Sequence, residues 1–215
     1  MIIIFIGPPA SGKGTQSTLI SGMFKLPYFS TGDILREASK KPGSDNDDLR
    51  ETISSGKLAS SDLVNKIVAN KLDEEKGNFA KGFVLDGYPR NLAQAEFLDK
   101  KFPDEKYKVF FFDITYETLL KRATTRFSCA ECGAIYNKVS IPLRVENECD
   151  MCGSNNFITR DDDNPESLQE RWKEYMQQTM PLVSFYNEKE ALVKVDATLK
   201  KEDITHQLVA ELKRN

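Results

Sequence analysis

Residues 2–6 read Ile-Ile-Ile-Phe-Ile and run directly into Gly7-Pro8-Pro9-Ala10-Ser11-Gly12-Lys13-Gly14-Thr15. Five consecutive apolar, β-leaning residues are too few for a stable helix and are apolar on both faces, the pattern of an interior strand in a parallel sheet. Helical spacing resumes at residues 14–24. A strand, a glycine-rich loop with a lysine, and a helix in that order form the context of a phosphate cradle. Glycines let backbone N–H groups turn inward, the helix amino terminus adds partial positive charge, and Lys13 supplies a point charge for the outer phosphates. Ala10, Ser11, Gly12, Lys13, Gly14 and Thr15 are therefore the candidate phosphate-binding residues. The pattern departs from the general motif in one place. Gly14 stands where that motif carries Ser or Thr, and the hydroxyl arrives one residue later at Thr15. The alternative is a glycine-rich turn that binds nothing.

Short apolar runs at residues 82–86, 109–114 and 192–196 repeat the opening pattern, and residues 27–30 could supply one more strand. Helical spacing appears at residues 34–39, 63–72, 92–101, 118–126, 168–186 and 204–212. This alternation predicts an α/β fold with a doubly wound parallel sheet, whose ligands sit beyond the carboxyl ends of the strands. Trp172, Tyr175, Met176 and Phe185 are expected to pack against that sheet. Two stretches break the alternation. Residues 31–73 are helical and polar without a strong strand, and residues 127–163 are rich in Cys, Gly, Asn and Asp, with β-leaning Ile135-Tyr136 and Lys138-Val139. A chain of 215 residues suits one core, here residues 1–30, 74–126 and 164–215, carrying those two insertions. The formal charge of -3 argues against broad attraction to nucleic acid or anionic membrane. The opening apolar run is too short for a signal-peptide core or a membrane span, so a cytosolic protein is expected.

All four cysteines fall in the second insertion, as Cys129-x-x-Cys132 and Cys149-x-x-Cys152. Two C-x-x-C pairs separated by 16 residues fit a tetrathiolate zinc site, in which each pair grips the metal from a tight turn. Four sulfurs close the tetrahedron, so such a zinc is structural. An iron site, a redox pair and incidental thiols are the alternatives.

Further segments carry polar residues of a second kind: Ser30-Thr31-Gly32-Asp33-Ile34-Leu35-Arg36, Gly56-Lys57-Leu58, and Phe83-Val84-Leu85-Asp86-Gly87-Tyr88-Pro89-Arg90 with Gln94. With the phosphate loop, Arg122, Arg126, the cysteine segment, Arg160-Asp161-Asp162-Asp163-Asn164, Arg171 and Gln178-Thr179-Met180-Pro181-Leu182, they resemble the nucleoside monophosphate kinases over nearly the whole chain, and the adenylate kinases in particular. The resemblance implies the reaction ATP + AMP ⇌ 2 ADP with Mg²⁺, carried out by a monomer. It implies an AMP site lined by Thr31, Arg36, Lys57, Leu58, Ala59, Gly87, Tyr88, Pro89, Arg90, Gln94, Arg160 and Arg171. Gln94 would read the adenine edge, and Thr31 tilts the acceptor toward AMP over UMP or CMP. Tyr88 replaces a more usual Phe, a change expected to be tolerated because the ring is what packs. The lid would contact the ATP base through Ile135 and Tyr136, with the backbone near Leu199 as a further contact. Arg122 and Arg126 would bind the donor. Arg126 and Arg160 would reach the transferring group, steered by Asp162 and Asp163.

Chemistry supports several of these roles. Asp86 ends a strand near the phosphate loop and could orient the water shell of Mg²⁺, although a turn cap beside Gly87 is its simpler role. The chain has 9 Arg against 21 Lys, yet six of the arginines lie in the segments just named. A guanidinium fork can hold two phosphate oxygens and follow charge as a phosphoryl group moves; a surface residue paired with a local acid is the plainer reading of any one of them. Spacing places Arg122 and Arg126 on one helix face. A GTP-using or pyrimidine-accepting relative is the nearest competing function. A nucleotide-gated zinc ribbon binding nucleic acid is a remote one, since the cysteine segment lacks a basic stripe or stacking platform.

Overall fold

The computed structural model describes residues 1–40, 49–50, 52, 59–139, 141–159 and 163–214. Strand β1 (Ile2–Ile6) is buried along its whole length, as its unbroken apolar run requires. It lies between β3 (Phe83–Asp86) and β4 (Tyr107–Asp113); β2 (Tyr28–Ser30) and β8 (Leu192–Asp196) complete the sheet in the order β2-β3-β1-β4-β8. Every pairing is parallel. Alternate side chains enter opposite cores. Ile2, Ile4 and Ile6 join Phe83, Leu85, Val109 and Phe111 on one face, while Ile3 and Phe5 join Val84, Phe110 and Phe112 on the other. The first core is covered by α3 (Ser61–Glu74), α4 (Leu92–Lys101) and α7 (Pro181–Glu188), and the second by α1 (Lys13–Phe24) and α8 (Lys201–Lys213). This is the expected doubly wound α/β sheet. No described helix is long and apolar enough to cross a membrane.

Helix starts follow the capping chemistry of the sequence. Ser30 caps α2 (Thr31–Ser39), Ser60 caps α3, Asn91 caps α4, Thr115 caps α5 (Tyr116–Ala123) and Asn164 caps α6 (Pro165–Glu174), each through a side-chain oxygen that accepts a first-turn N–H. Helices α1, α7 and α8 begin without a side-chain cap, and the cap position of α1 is Gly12.

Three expectations are corrected. The helix expected over residues 118–126 ends at Ala123, and Arg126 instead opens strand β5 (Arg126–Cys129). The hydroxyls of Thr124 and Thr125 donate to the Leu120 and Lys121 carbonyls at 2.9 and 2.8 Å, and Asn137 Nδ2 donates to the Arg122 carbonyl at 2.6 Å. Side chains thus take up the last carbonyls and stop the helix, so Arg122 and Arg126 do not share a helix face. Second, Lys138 and Val139 form a turn beyond β6 (Ile135–Asn137), closed by the Asn137 side chain accepting the Val139 N–H at 2.9 Å. Third, the single helical segment read over residues 168–186 is broken by a π turn at Tyr175–Thr179. Pro181 has no N–H to continue the ladder, and the bond that closes the turn runs from Met180 N–H to the Tyr175 carbonyl. Tyr175 is buried there, but Met176 points outward and is exposed.

Tyr88 is fully buried, and its hydroxyl is not passive. It donates to Asn65 Oδ1 on α3 at 2.7 Å and lies 3.3 Å from the Gln94 carbonyl, pegging α3 to the segment after β3. Tyr88→Phe keeps the ring but leaves the buried Asn65 oxygen without this donor, so chemical denaturation should show a loss of about 1–3 kcal/mol. A loss near zero would return the role of Tyr88 to ring packing alone.

Candidate active site

The loop between β1 and α1 has two residues in the left-handed region, Ala10 at φ 56° and Gly12 at φ 91°. For Ala10 that conformation is strained, and such strain accumulates where a loop must aim its N–H groups. The amino terminus of α1 is therefore a helix end without an acid in its first turn and without a capping side chain, which is the requirement for receiving a phosphate. Lys13 Nζ donates to the Pro8 carbonyl across the same loop at 3.0 Å. Ser11 Oγ is buried without a hydrogen-bond partner. Thr15 follows in the first turn of α1, half-buried.

The sheet register delivers the second half of the site. Phe5 of β1 is level with Asp86 of β3, which is level with Ser30 of β2, so the phosphate loop, Gly87 and Thr31 leave the same edge. Asp86 accepts a hydrogen bond from the Tyr28 hydroxyl on Oδ2 at 3.1 Å, while its Oδ1 is buried and unpartnered. A Cβ on Gly14 would stand 3.2 Å from that Oδ2, so a side chain at this position would press on the carboxylate. Thr31 Oγ1 is likewise buried without a partner. Of the five side-chain polar atoms in that condition among the described residues, three thus belong to Ser11, Asp86 and Thr31. Buried polar atoms are rarely left so in a folded interior, and their grouping points to a ligand-binding edge.

Arg90 follows Asp86 by four residues, its Nε donating to the Gly87 carbonyl at 2.9 Å and its carbonyl accepting from Thr179 Oγ1 at 2.8 Å. Gln94 is buried, and its Oε1 accepts the Arg90 N–H at 2.8 Å, so its amide clamps the loop. Gly7, Lys13, Gly87, Pro89, Arg90, Arg171, Glu174 and Thr179 line one cleft, with the phosphate loop on one wall and the arginines on the other. The electrostatics of that cleft are unbalanced. Lys13 is pushed down to about 7, chiefly by enclosure; the Asp86 charge opposes this, and Arg90, Arg171 and Arg126 push the same way as burial. A pocket that holds its lysine this far below the usual range suits an anion.

The lid rises from the far end of α5. Strand β5 pairs antiparallel with β6 and with β7 (Phe157–Ile158), around the rings of Phe127, Tyr136 and Phe157. The four cysteine sulfurs lie within 4.8 Å of one another, with Cys129 to Cys152 at 3.6 Å and Cys132 to Cys149 at 3.5 Å. A tetrahedron with Zn–S bonds of about 2.3 Å has an edge of about 3.8 Å, whereas a disulfide needs about 2.05 Å. The separations fit the metal and exclude the disulfide. The Tyr136 hydroxyl accepts the Asp150 N–H at 2.9 Å and lies 3.2 Å from Cys149 Sγ. Its own proton is therefore directed at the sulfur, and this bond holds the Cys149 thiol well below its usual range, at about 6. At the base of the lid, Arg126 grips Asp163 by a bidentate pair at 2.7 and 2.5 Å, both side chains largely buried.

The remaining expected residues divide. Arg36 is partly exposed and paired with Asp33 on its own helix, and Ala59 packs at the edge of the core beside α3. Arg122 donates to the Ala197 carbonyl at 2.7 Å, and burial lowers its pKa against the pull of Asp196, so it braces the turn that carries exposed Leu199. Ile135 is half-buried at the start of β6, while Tyr136 turns its ring into the lid. Lys57, Leu58, Arg160 and Asp162 lie outside the described residues. Sequence reasoning gave no site role to Tyr28, Glu174, Tyr175 or Thr179: it placed residue 28 in a strand, Tyr175 in the packing against the sheet and Thr179 only among the residues that carry the resemblance. A tyrosine two residues before the Ser-Thr-Gly-Asp turn has no motif of its own, and only strand register brings it to Asp86.

The sequence pattern of the adenylate kinase family matches residues 5–191. Among similar curated proteins, an adenylate kinase of Rickettsia africae is 37% identical over 215 residues, covering 100% of both chains. One from Rickettsia bellii is 39% identical over the same span, and one from Orientia tsutsugamushi (strain Boryong) is 39% identical over 208 residues, 97% of each chain. With a parallel sheet, a phosphate loop and an arginine-lined cleft at its carboxyl edge, the chain belongs to the adenylate kinase family.

Proposed function

We propose that the chain transfers the terminal phosphoryl group of ATP to AMP, reversibly and with Mg²⁺, giving two ADP. The observation that carries this is the cleft shared by the phosphate loop, Arg90 and Arg171. Full-length relatives named adenylate kinase support AMP over pyrimidine acceptors and do not favour a nucleic-acid binder. In a panel of acceptors with ATP, AMP should turn over at least about tenfold faster than UMP or CMP, an amount comparable to about 1.4 kcal/mol. Faster turnover of UMP or CMP would overturn the acceptor assignment.

The attacking phosphate oxygen of AMP is already ionised, so positioning and charge stabilisation dominate over acid-base work. In this reading the loop from Ala10 to Thr15 holds the ATP phosphates, and Lys13 leaves the Pro8 carbonyl for the outer ones. Arg90, Arg126, Arg160 and Arg171 follow the charge from donor to acceptor. Asp162 and Asp163 hold the lid arginines until the phosphates arrive. Thr31, Arg36, Lys57, Leu58, Ala59, Gly87, Tyr88, Pro89 and Gln94 form the AMP side. The Gln94 amide, already accepting from Arg90, retains N–H donors for the adenine edge. Arg122, Ile135, Tyr136 and Leu199 serve the donor base, Arg122 and Leu199 through the turn after β8. The unpartnered oxygen of Asp86 suits a water shell around Mg²⁺, which neutralises phosphate charge when bound. Residues 31–73 and 127–163 act as acceptor insertion and lid on the core of 1–30, 74–126 and 164–215. A cytoplasmic monomer that binds neither nucleic acid nor membrane completes the reading.

Lys13 carries a pH signature. Below pH 7 it is charged in the free cleft, but above that value a phosphate must recruit a proton with it. Affinity for ADP should fall by up to about tenfold per pH unit above 7. Calorimetry at pH 8 in buffers of different ionisation heat should show uptake approaching about one proton per nucleotide. Lys13→Ala should abolish both that uptake and most turnover while the fold persists; unchanged uptake would place the proton elsewhere.

Cys129, Cys132, Cys149 and Cys152 would hold a structural Zn²⁺. Metal in such a site supplies on the order of 10 kcal/mol to a module with little core. Chelation should lower the melting temperature by more than about 5 °C while activity at low temperature falls less than about twofold. An equal loss of both at every temperature would give the metal a role in the chemistry.

A further inference from the structure

The Asp86 carboxylate has two oxygens in different surroundings. Oδ2 accepts the Tyr28 hydroxyl at 3.1 Å and lies in the space left by the missing side chain of Gly14, while Oδ1 has no partner. Among the described residues no lysine or arginine nitrogen stands within ion-pair distance of Asp86, and Tyr28 makes its side-chain hydrogen bond. We propose that Tyr28 is a positioning residue: its hydroxyl fixes the rotation of the Asp86 carboxylate so that Oδ1 faces the water shell of the nucleotide-bound divalent cation. The inference rests on the reading of Asp86 given above.

Strand register makes the arrangement specific. Tyr28 is level with Val84 and Ser30 with Asp86, so Tyr28 and Asp86 point to one face of the sheet, two rungs apart along the strand direction. That offset is about 6.5 Å, the reach of a phenol leaning along the sheet. A shorter side chain at residue 28 could not close it. Near the Tyr28 oxygen are the hydroxyls of Ser17 and Thr18 on α1, both of which donate to the Gly14 carbonyl, at 3.1 and 2.9 Å. Tyr28 thus sits in the angle between the phosphate-loop helix and β3 and touches both sides of the site. Burial, and then the Asp86 charge, raise the phenol to about 12, so it stays a neutral donor at working pH. A neutral donor has a particular merit here. A lysine or arginine in its place would orient the carboxylate equally well, but would also cancel the charge that attracts the hydrated cation.

The test compares affinity for a non-hydrolysable ATP analogue with Mg²⁺ and in EDTA, in the full chain and in two variants. The ratio of the two affinities measures what the protein gains from the metal. In Tyr28→Phe that ratio should fall about three- to tenfold, the loss of one hydrogen bond to a charged group, while affinity in EDTA stays within about twofold. In Asp86→Asn it should fall about 10- to 100-fold. If Asp86→Asn lowers the ratio and Tyr28→Phe does not, the positioning role fails and the reading of Asp86 stands. If neither lowers it, both fail. If Tyr28→Phe weakens binding equally with and without metal, the ring serves packing and the proposal is overturned.

Discussion

The site depends on one alignment, the level pairing of Phe5, Asp86 and Ser30 across three parallel strands. Because hydrogen bonding fixes that level, the phosphate loop, the Asp86-Gly87 turn and the start of α2 leave the sheet side by side. A slip by one residue would turn Asp86 into the apolar core and Leu85 toward the loop. The apolar interdigitation of Ile2 to Ile6 with both cores therefore does more than stabilise the fold. It sets the distance between donor and acceptor machinery.

Around that alignment the protein concentrates cationic groups that do not suit one another. Arg90, Arg126 and Arg171 all press on Lys13, with Asp86 as the opposing charge. The cost is borne by the backbone and by buried partners: Lys13 leans on the Pro8 carbonyl, Arg90 on that of Gly87, Arg126 on Asp163. Each of these is an interaction that a phosphate oxygen can replace. Preorganised charge of this kind needs little rearrangement when the transferring group arrives.

The phosphate loop, the strand alternation and the two C-x-x-C pairs were legible in the sequence because each is a local pattern with a local cause. What was not legible depended on contacts between distant segments. Residues 118–126 have helical spacing, but Asn137 reaches back from the lid to take the Arg122 carbonyl and the helix stops. Tyr88 was expected to matter for its ring, since no spacing announces Asn65 as the partner of its hydroxyl. Tyr136 belongs by position to a base-contacting pair, yet its hydroxyl is engaged with Cys149. Tyr28 had no signal beyond its place in a short strand.

The pair of Arg126 with Asp163 has one more consequence. Asp163 behaves as a tethered rival to any incoming anion, present at an effective concentration far above that of free solutes. Because both side chains are largely buried, salt screens the pair little. Chloride, which offers no fork of oxygens to the guanidinium, is poorly placed to displace it. A triphosphate that met the loop, Lys13 and the arginines at once, as proposed above, could. The pair would thus yield to a multiply charged nucleotide sooner than to the ionic strength around it.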